Sequence, residues 1–166
     1  EGAAVLAEQG YGILKGDSLA GFLEGEAAKG LELLTGGPSA DILEIALPEG
    51  QVSVKVSSAC TKSRLEFQGD APAKLRLACK IEARLSEYRE RPDGQGLEHL
   101  QTALEDRERE RMAAALERLR VWGTDCAGLG ARAGMLCPAR WQAVQDSWPE
   151  WFGRVPVEIT VEVNLL

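Results

Sequence analysis

Histidine occurs once in this 166-residue chain, methionine twice, and no two of the four cysteines (Cys60, Cys79, Cys126, Cys137) stand as C-x-x-C. A zinc site, which draws on Cys and His at short spacings, has little support here. Basic residues are also scarce: 19 Lys and Arg face 26 Asp and Glu, for a net charge of −7. Gripping phosphate backbones or anionic lipid takes clustered bases, so this balance argues against nucleic acid and against a basic membrane-adsorbing face. No apolar run approaches the roughly 18 residues that span a bilayer. No Lys/Arg-rich start followed by an apolar stretch marks a signal peptide. The chain opens at Glu1 rather than Met, which reads as a processed protein or an excised piece, so missing targeting signals say little about the parent.

What is present suits an ordinary folded chain. The hydrophobic fraction is 45% and the charged fraction 27%, which sets intrinsic disorder aside. A chain of this length buries roughly 70% of its unfolded surface and needs no covalent staples. We expect one domain over 1–166, with 1–10 a leader or the remnant of a preceding domain.

Hydrophobic spacing then orders the elements. Tyr11 to Lys15 reads as a strand, Gly16-Asp17-Ser18 as a turn, and Leu19 to Leu34 as a helix with Glu24 and Glu26 near its start, stopped by Gly36-Gly37-Pro38. Leu43, Ile45 and Leu47 alternate, Pro48-Glu49-Gly50 turns, and Val52, Val54 and Val56 alternate again. Leu65 and Phe67 have the opposite parity, which predicts a bulge near Ser57 to Ser63. Past a turn at Gly69-Asp70, Leu75 to Leu85 hold strict period two with charged neighbours, as in an antiparallel strand with one wet face. Leu97, Leu100, Leu104, Met112, Leu116 and Leu119 form the stripe of a long helix near 96–122. Its charged run, Glu105 to Arg111, reads as a solvated face with an i,i+4 pair between Glu105 and Arg109. A glycine-rich turn, a short helix opened by Pro138 and an alternating strand from Val155 to Leu165 complete the chain. The fold class is α+β: an antiparallel sheet with helices over one face.

Chemistry is hard to find in this pattern. His99 sits beside the helical stripe without a partner in reach, and reads as a surface or boundary residue. Gly128-Leu-Gly130-Ala-Arg-Ala-Gly134 is one residue too long for a dinucleotide fingerprint and follows a helix rather than a strand, so a helix-to-helix turn explains it. The carboxylate pairs Glu24 with Glu26 and Asp125 with Asp146 lack any sugar-binding aromatic cluster around them. Cys60 and Cys79 flank the Gly69-Asp70 turn, which leaves either a disulfide or free thiols open, and a Cys126–Cys137 pairing is equally undecided. Trp141 and Trp148 read as core on a shared helix face, with Trp151 more open.

Two separated segments nonetheless resemble one family. Trp122-Gly-Thr-Asp125-Cys-Ala-Gly128-Leu-Gly130, Cys137-Pro138-Ala-Arg-Trp141, Asp146-Ser-Trp148, Phe152 and the closing strand are similar to the C-terminal domain of the Ger(x)C family, with Leu129 standing where an aromatic is common. Gly12-Ile-Leu-Lys15-Gly-Asp17-Ser-Leu19-Ala-Gly21-Phe-Leu23 and Glu26-Ala-Ala-Lys29-Gly30-Leu31 resemble that family's N-terminal stretch of the same domain, with Leu14 in place of the expected Phe or a neighbouring apolar residue. Members are lipoprotein C subunits of the nutrient germinant receptors of bacterial spores.

The resemblance implies a non-enzymatic role in receptor assembly or signal transmission, with no catalytic, metal or cofactor residues and no cofactor. It implies the A and B membrane subunits as partners, and a place on the outer face of the spore inner membrane, attached through an N-terminal lipid anchor that this chain lacks. Leu129, Trp151 and Phe152 are the candidate partner contacts. The competing readings are a ligand-binding module of an unrelated extracytoplasmic lipoprotein and, further off, a hydrolase built on Asp125 and a neighbouring acid.

Overall fold

The computed structural model describes residues 10–37, 41–48, 50–88 and 91–166. Two long antiparallel strands, β4 (Gly50–Gln68) and β5 (Ala71–Tyr88), set its frame. Leu75, Leu77, Cys79, Ile81 and Ala83 of β5 are all buried, while Arg76, Lys80, Glu82 and Arg84 between them are exposed, as the period predicts. Gly69 turns the chain between the two strands at φ +63, a conformation that side chains rarely adopt. In β4 the buried set changes parity, from Val52, Val54 and Val56 to Ala59, Thr61, Ser63 and Leu65. The ladder slips between Val56 and Ser58, so the expected bulge sits at Ser57.

β3 (Ile42–Leu47) flanks β4, and β6 (Val157–Leu165) flanks β5, giving the order β3-β4-β5-β6. β6 runs parallel to β5. The sheet is therefore mixed, where alternation alone suggested antiparallel pairing throughout. Period two is blind to strand direction, and a parallel neighbour requires a long crossover. The helices between the two strands provide it.

Helices from both sides of the strand block in the chain cover one face. α1 (Gly25–Thr35) contributes Leu31, Leu33 and Leu34 to the core, and α2 (Gly94–Trp122) contributes Leu100, Leu104, Met112, Leu116 and Leu119. Each fully buried leucine of this set contributes roughly 1.5–3 kcal/mol against leaving it in water. α2 begins where Asp93 accepts a hydrogen bond from the Gly96 N–H at 2.8 Å and ends at Gly123. The Thr61 and Ser63 hydroxyls, buried on the same sheet face, donate to the Leu33 carbonyl (2.7 Å) and the Leu129 carbonyl (2.8 Å). Helix ends are thereby tied to the sheet through buried hydroxyls.

The first segment departs from expectation. Leu19 to Glu24 is not helical: β1 (Gly10–Lys15) and β2 (Ser18–Glu24) form a separate hairpin, and α1 starts only at Gly25. In a helix Leu19, Phe22 and Leu23 would share a face. Here Leu23 is 1% exposed while Leu19 and Phe22 are 54% and 59% exposed, on opposite sides of a strand. Glu24 is consequently extended and precedes the helix instead of joining its first turn. Pro38, Glu49 and the leader expected before Gly10 lie outside the described residues.

Candidate functional site

The segment from Trp122 onward is organised around one carboxylate. Gly123 and Gly128, both at positive φ, bracket a short loop that lifts Asp125 against the start of α3 (Leu129–Gly134). Its Oδ1 accepts the Leu129 N–H at 2.8 Å. Its Oδ2 accepts the Gly130 N–H at 2.7 Å and the Trp148 indole N–H at 2.9 Å. Free N–H groups and the positive helix end make this a favourable seat for a carboxylate. Both oxygens are engaged in holding the fold. Asp146, its proposed acidic partner, is exposed on the turn after α4 (Pro138–Val144).

The glycines of this loop serve packing. A Cβ on Gly130 would overlap the Trp148 indole, and one on Gly134 would overlap Trp141. The two indoles meet edge to face with centroids 5.5 Å apart, and Phe152 stacks beyond Trp148 at 5.9 Å. Trp141 and Trp148 lie on successive helices, α4 and α5 (Trp148–Arg154), rather than on one helix face. Among the candidate contacts, Leu129 and Phe152 are both 0% exposed and belong to the core. Neither side chain offers a surface; the i,i+4 spacing of Trp148 and Phe152 on α5 turns both inward. Trp151 is half-buried, with the Arg154 guanidinium 4.2 Å over its ring.

A second polar centre lies where sequence suggested a solvated helix face. Glu108 and Arg111 of α2 are 3% and 5% exposed. Arg111 donates to Glu108 at 2.9 Å, to Asp41 at 3.0 Å and to both oxygens of Glu26 on α1. Burial pushes the Glu108 carboxyl above its ordinary value, against the opposing pull of Arg111. The hydrogen bond from Arg111 holds Glu26 below its ordinary value. Burial opposes the Arg111 charge, yet its three acidic neighbours together raise its pKa. The expected Glu105–Arg109 pair does not form: Arg109 meets Asp106 at 2.7 Å, and Glu105 accepts from Gln101 and from the Val163 N–H. The signal was in the stripe itself, since Glu108 occupies an apolar position between Leu104 and Met112.

The N-terminal motif also acts through α2. A Cβ on Gly21 would overlap Trp122, and one on Gly30 would overlap the Arg111 backbone carbonyl. Lys15 donates to the Trp122 carbonyl at 3.0 Å, at the helix end that favours a cation. The two segments read separately in the sequence thus converge on one helix.

The remaining candidates are dispersed. His99 is exposed on α2. All four cysteines are free: Cys60 opposes Lys80 and Cys79 opposes Thr61, so the two thiols point to opposite faces of the sheet. Among the described residues no three His, Cys, Asp or Glu side chains converge as metal ligands, and no helix is long and apolar enough to cross a membrane. An open groove of about 400 Å³ lies between α2 and β6, walled by Ala113, Leu116, Glu117, Val121, Val157 and Ile159. Nothing in the sequence marked it, because it exists only where the helix fails to cover the last strand.

Comparison with known proteins agrees with this architecture. The crystal structure of the GerBC protein superposes with a TM-score of 0.82 at 18% identity, over 95% of this chain and 51% of that one. At that identity the likeness is one of fold, and this chain spans about half the length of that protein. No curated protein sequence matches the chain. The family model described as spore germination B3/GerAC-like, C-terminal, matches residues 9–166, so the chain belongs to that family.

Proposed function

We propose that this chain is the contact domain of a germinant-receptor C subunit, a non-catalytic part that helps the receptor assemble or transmit its signal. The carrying observation is the state of Asp125: three donors occupy its two oxygens, so the carboxylate that sequence offered to hydrolysis is committed to joining α3 and α5. Besides the exposed Met135 and Leu136, this segment turns outward the Trp151–Arg154 shelf. Tryptophan and arginine are enriched at the energetic centres of protein interfaces. In this reading Leu129 and Phe152 act from beneath, fixing the helices that carry the shelf. The A and B membrane subunits are the partners, on the outer face of the spore inner membrane, with a lipid anchor on the full-length protein.

The test is co-purification of the full-length protein with its A and B subunits from spore inner membranes, with and without Trp151→Ala. We expect association that the substitution weakens. No association, together with normal germination after deletion of the gene, would overturn the reading.

A further inference from the structure

β6 is the last strand of its sheet, so one of its backbone edges has no neighbouring strand among the described residues. The ladder shows which groups lie there. The Pro156 carbonyl accepts from the Leu75 N–H at 2.9 Å, and the Leu166 N–H donates to Ala83 at 2.8 Å. Even-numbered residues of this strand therefore face β5, and in a parallel pair the alternate residues turn both backbone groups the other way. The Val163 N–H confirms it, leaving the sheet to reach the Glu105 carboxylate at 3.1 Å. Among the described residues, Val157, Ile159 and Val161 lie in the same outward register without such a cover.

Their side chains face the helical layer, but α2 does not reach over them. Val163 is 2% exposed, whereas Val157, Ile159 and Val161 are only partly buried. The groove along α2 opens at this point. An open backbone edge beside an apolar groove is the geometry that receives an added strand. The opposite face of β6 carries charge of one sign. Glu158 pairs with Lys74 (3.2 Å) and Arg76 (2.9 Å) of β5, and Glu162 pairs with Lys80 (3.2 Å). Lys74, Arg76 and Lys80 of β5 thus meet Glu158 and Glu162 of β6, and cross-strand neighbours favour opposite charge.

We propose that the free edge of β6 takes an extended segment of a partner protein in which apolar residues alternate with Lys or Arg. The apolar side chains enter the groove toward Ala113 and Leu116, and the basic ones lie beside Glu158 and Glu162. A second copy fits less well, because antiparallel pairing of two β6 edges sets Glu158 against Glu162. The chain's own residues 1–9 carry Glu1 and Glu8 and no base, so they lack the matching charge. The proposal rests on the contact role above and adds the chemistry of one contact.

The test uses the purified chain with a short peptide alternating Val and Lys, and a Val–Glu peptide as its counterpart. Binding of the Val–Lys peptide should slow amide exchange at Ile159 and Val161. Ile159→Pro, which removes an outward N–H and leaves the β5 ladder intact, should weaken binding by at least about tenfold. Glu162→Lys, which leaves the backbone untouched, should weaken it in the same direction. Equal binding of the Val–Glu peptide, unchanged exchange at Ile159 and Val161, or self-association that protects those amides without peptide each overturns the proposal. Loss of peptide binding with A- and B-subunit association intact removes only this edge. The reverse pattern removes only the receptor role.

Discussion

The Trp148 indole N–H donates to Asp125 Oδ2 at 2.9 Å, joining the first turn of α5 to the loop before α3. Removing the acceptor unpairs two backbone N–H groups and the indole together. Asp125→Ala should therefore destabilise by about 2–4 kcal/mol, above a single neutral hydrogen bond because the acceptor is charged. Trp148→Phe keeps most of the ring and loses one donor, so about 1–2 kcal/mol is expected. Urea denaturation midpoints measure both. A smaller loss for Asp125→Ala than for Trp148→Phe would contradict the geometry.

Gly130 and Gly134 are expected to refuse a methyl group. Each Ala substitution should cost about 1–3 kcal/mol by overpacking against its indole. Trp141→Leu should partly rescue Gly134→Ala, whose nearest neighbours are all atoms of that ring, and rescue Gly130→Ala less, because the Trp148 indole still overlaps it. A double-mutant cycle on thermal stability reads the coupling. Additive losses in the first pair would show that the indole is not the obstacle.

Glu108 and Glu26 hold one guanidinium and should answer acid in opposite directions. Burial raises Glu108 above the ordinary 4.5, so its contribution to stability is full below that value and is lost as pH rises through its folded pKa. Glu26 is lowered, so its contribution is present above 4.5 and is lost as pH falls through its folded pKa. Glu108→Gln should gain on the wild type as pH rises, and Glu26→Gln should gain on it as pH falls. Stability curves of the three proteins across the carboxylate range decide this, and slopes of the same sign would contradict it.

Breaking the buried pair from the other side should be severe. Arg111→Met leaves Glu108 charged and unpaired in the core, for a loss of about 3–5 kcal/mol. Combining it with Glu108→Leu should recover much of that loss, because the buried charge goes as well. Chemical denaturation of the single and double variants is the measurement, and an unrepaired double variant would assign the loss to Glu26 and Asp41 instead.

Thiol accessibility should follow the sheet faces. Alkylation followed by mass spectrometry should modify exposed Cys60 early and buried Cys79 last, since burial also pushes the Cys79 thiol up. Reaction of both at one rate in the folded protein would mean that the β4–β5 register is different.

The sequence carried the long strands, their bulge and the long helix, because burial there follows a simple period that side chains must obey. It misplaced the start of α1, since three apolar residues at 19, 22 and 23 satisfy a helix and a strand alike and the hairpin partner lies before them. The direction of β6 was invisible for a related reason: alternation records which face is buried and not which way a strand runs. Arg111 was hidden by assuming that a run of charges is wet, although its neighbour Glu108 sat on the apolar stripe. The family motifs were legible as residues, while their purpose was not. Gly21, Gly30, Gly130 and Gly134 mark close approaches to partners far along the chain, and no local rule names those partners.

The parallel ladder pairs Leu75 with Val157 and Ala83 with Leu165, so the fourth strand docks only after every residue of the helical crossover has been synthesised. Contacts this distant in sequence slow folding, because the loop between them must close before they return any stability. Until β6 arrives, the edge of β5 stands open, with Leu77, Cys79 and Ile81 on the face beneath it. A chain made only as far as α5 would expose, one strand earlier, the kind of edge that we propose for the partner in the finished fold.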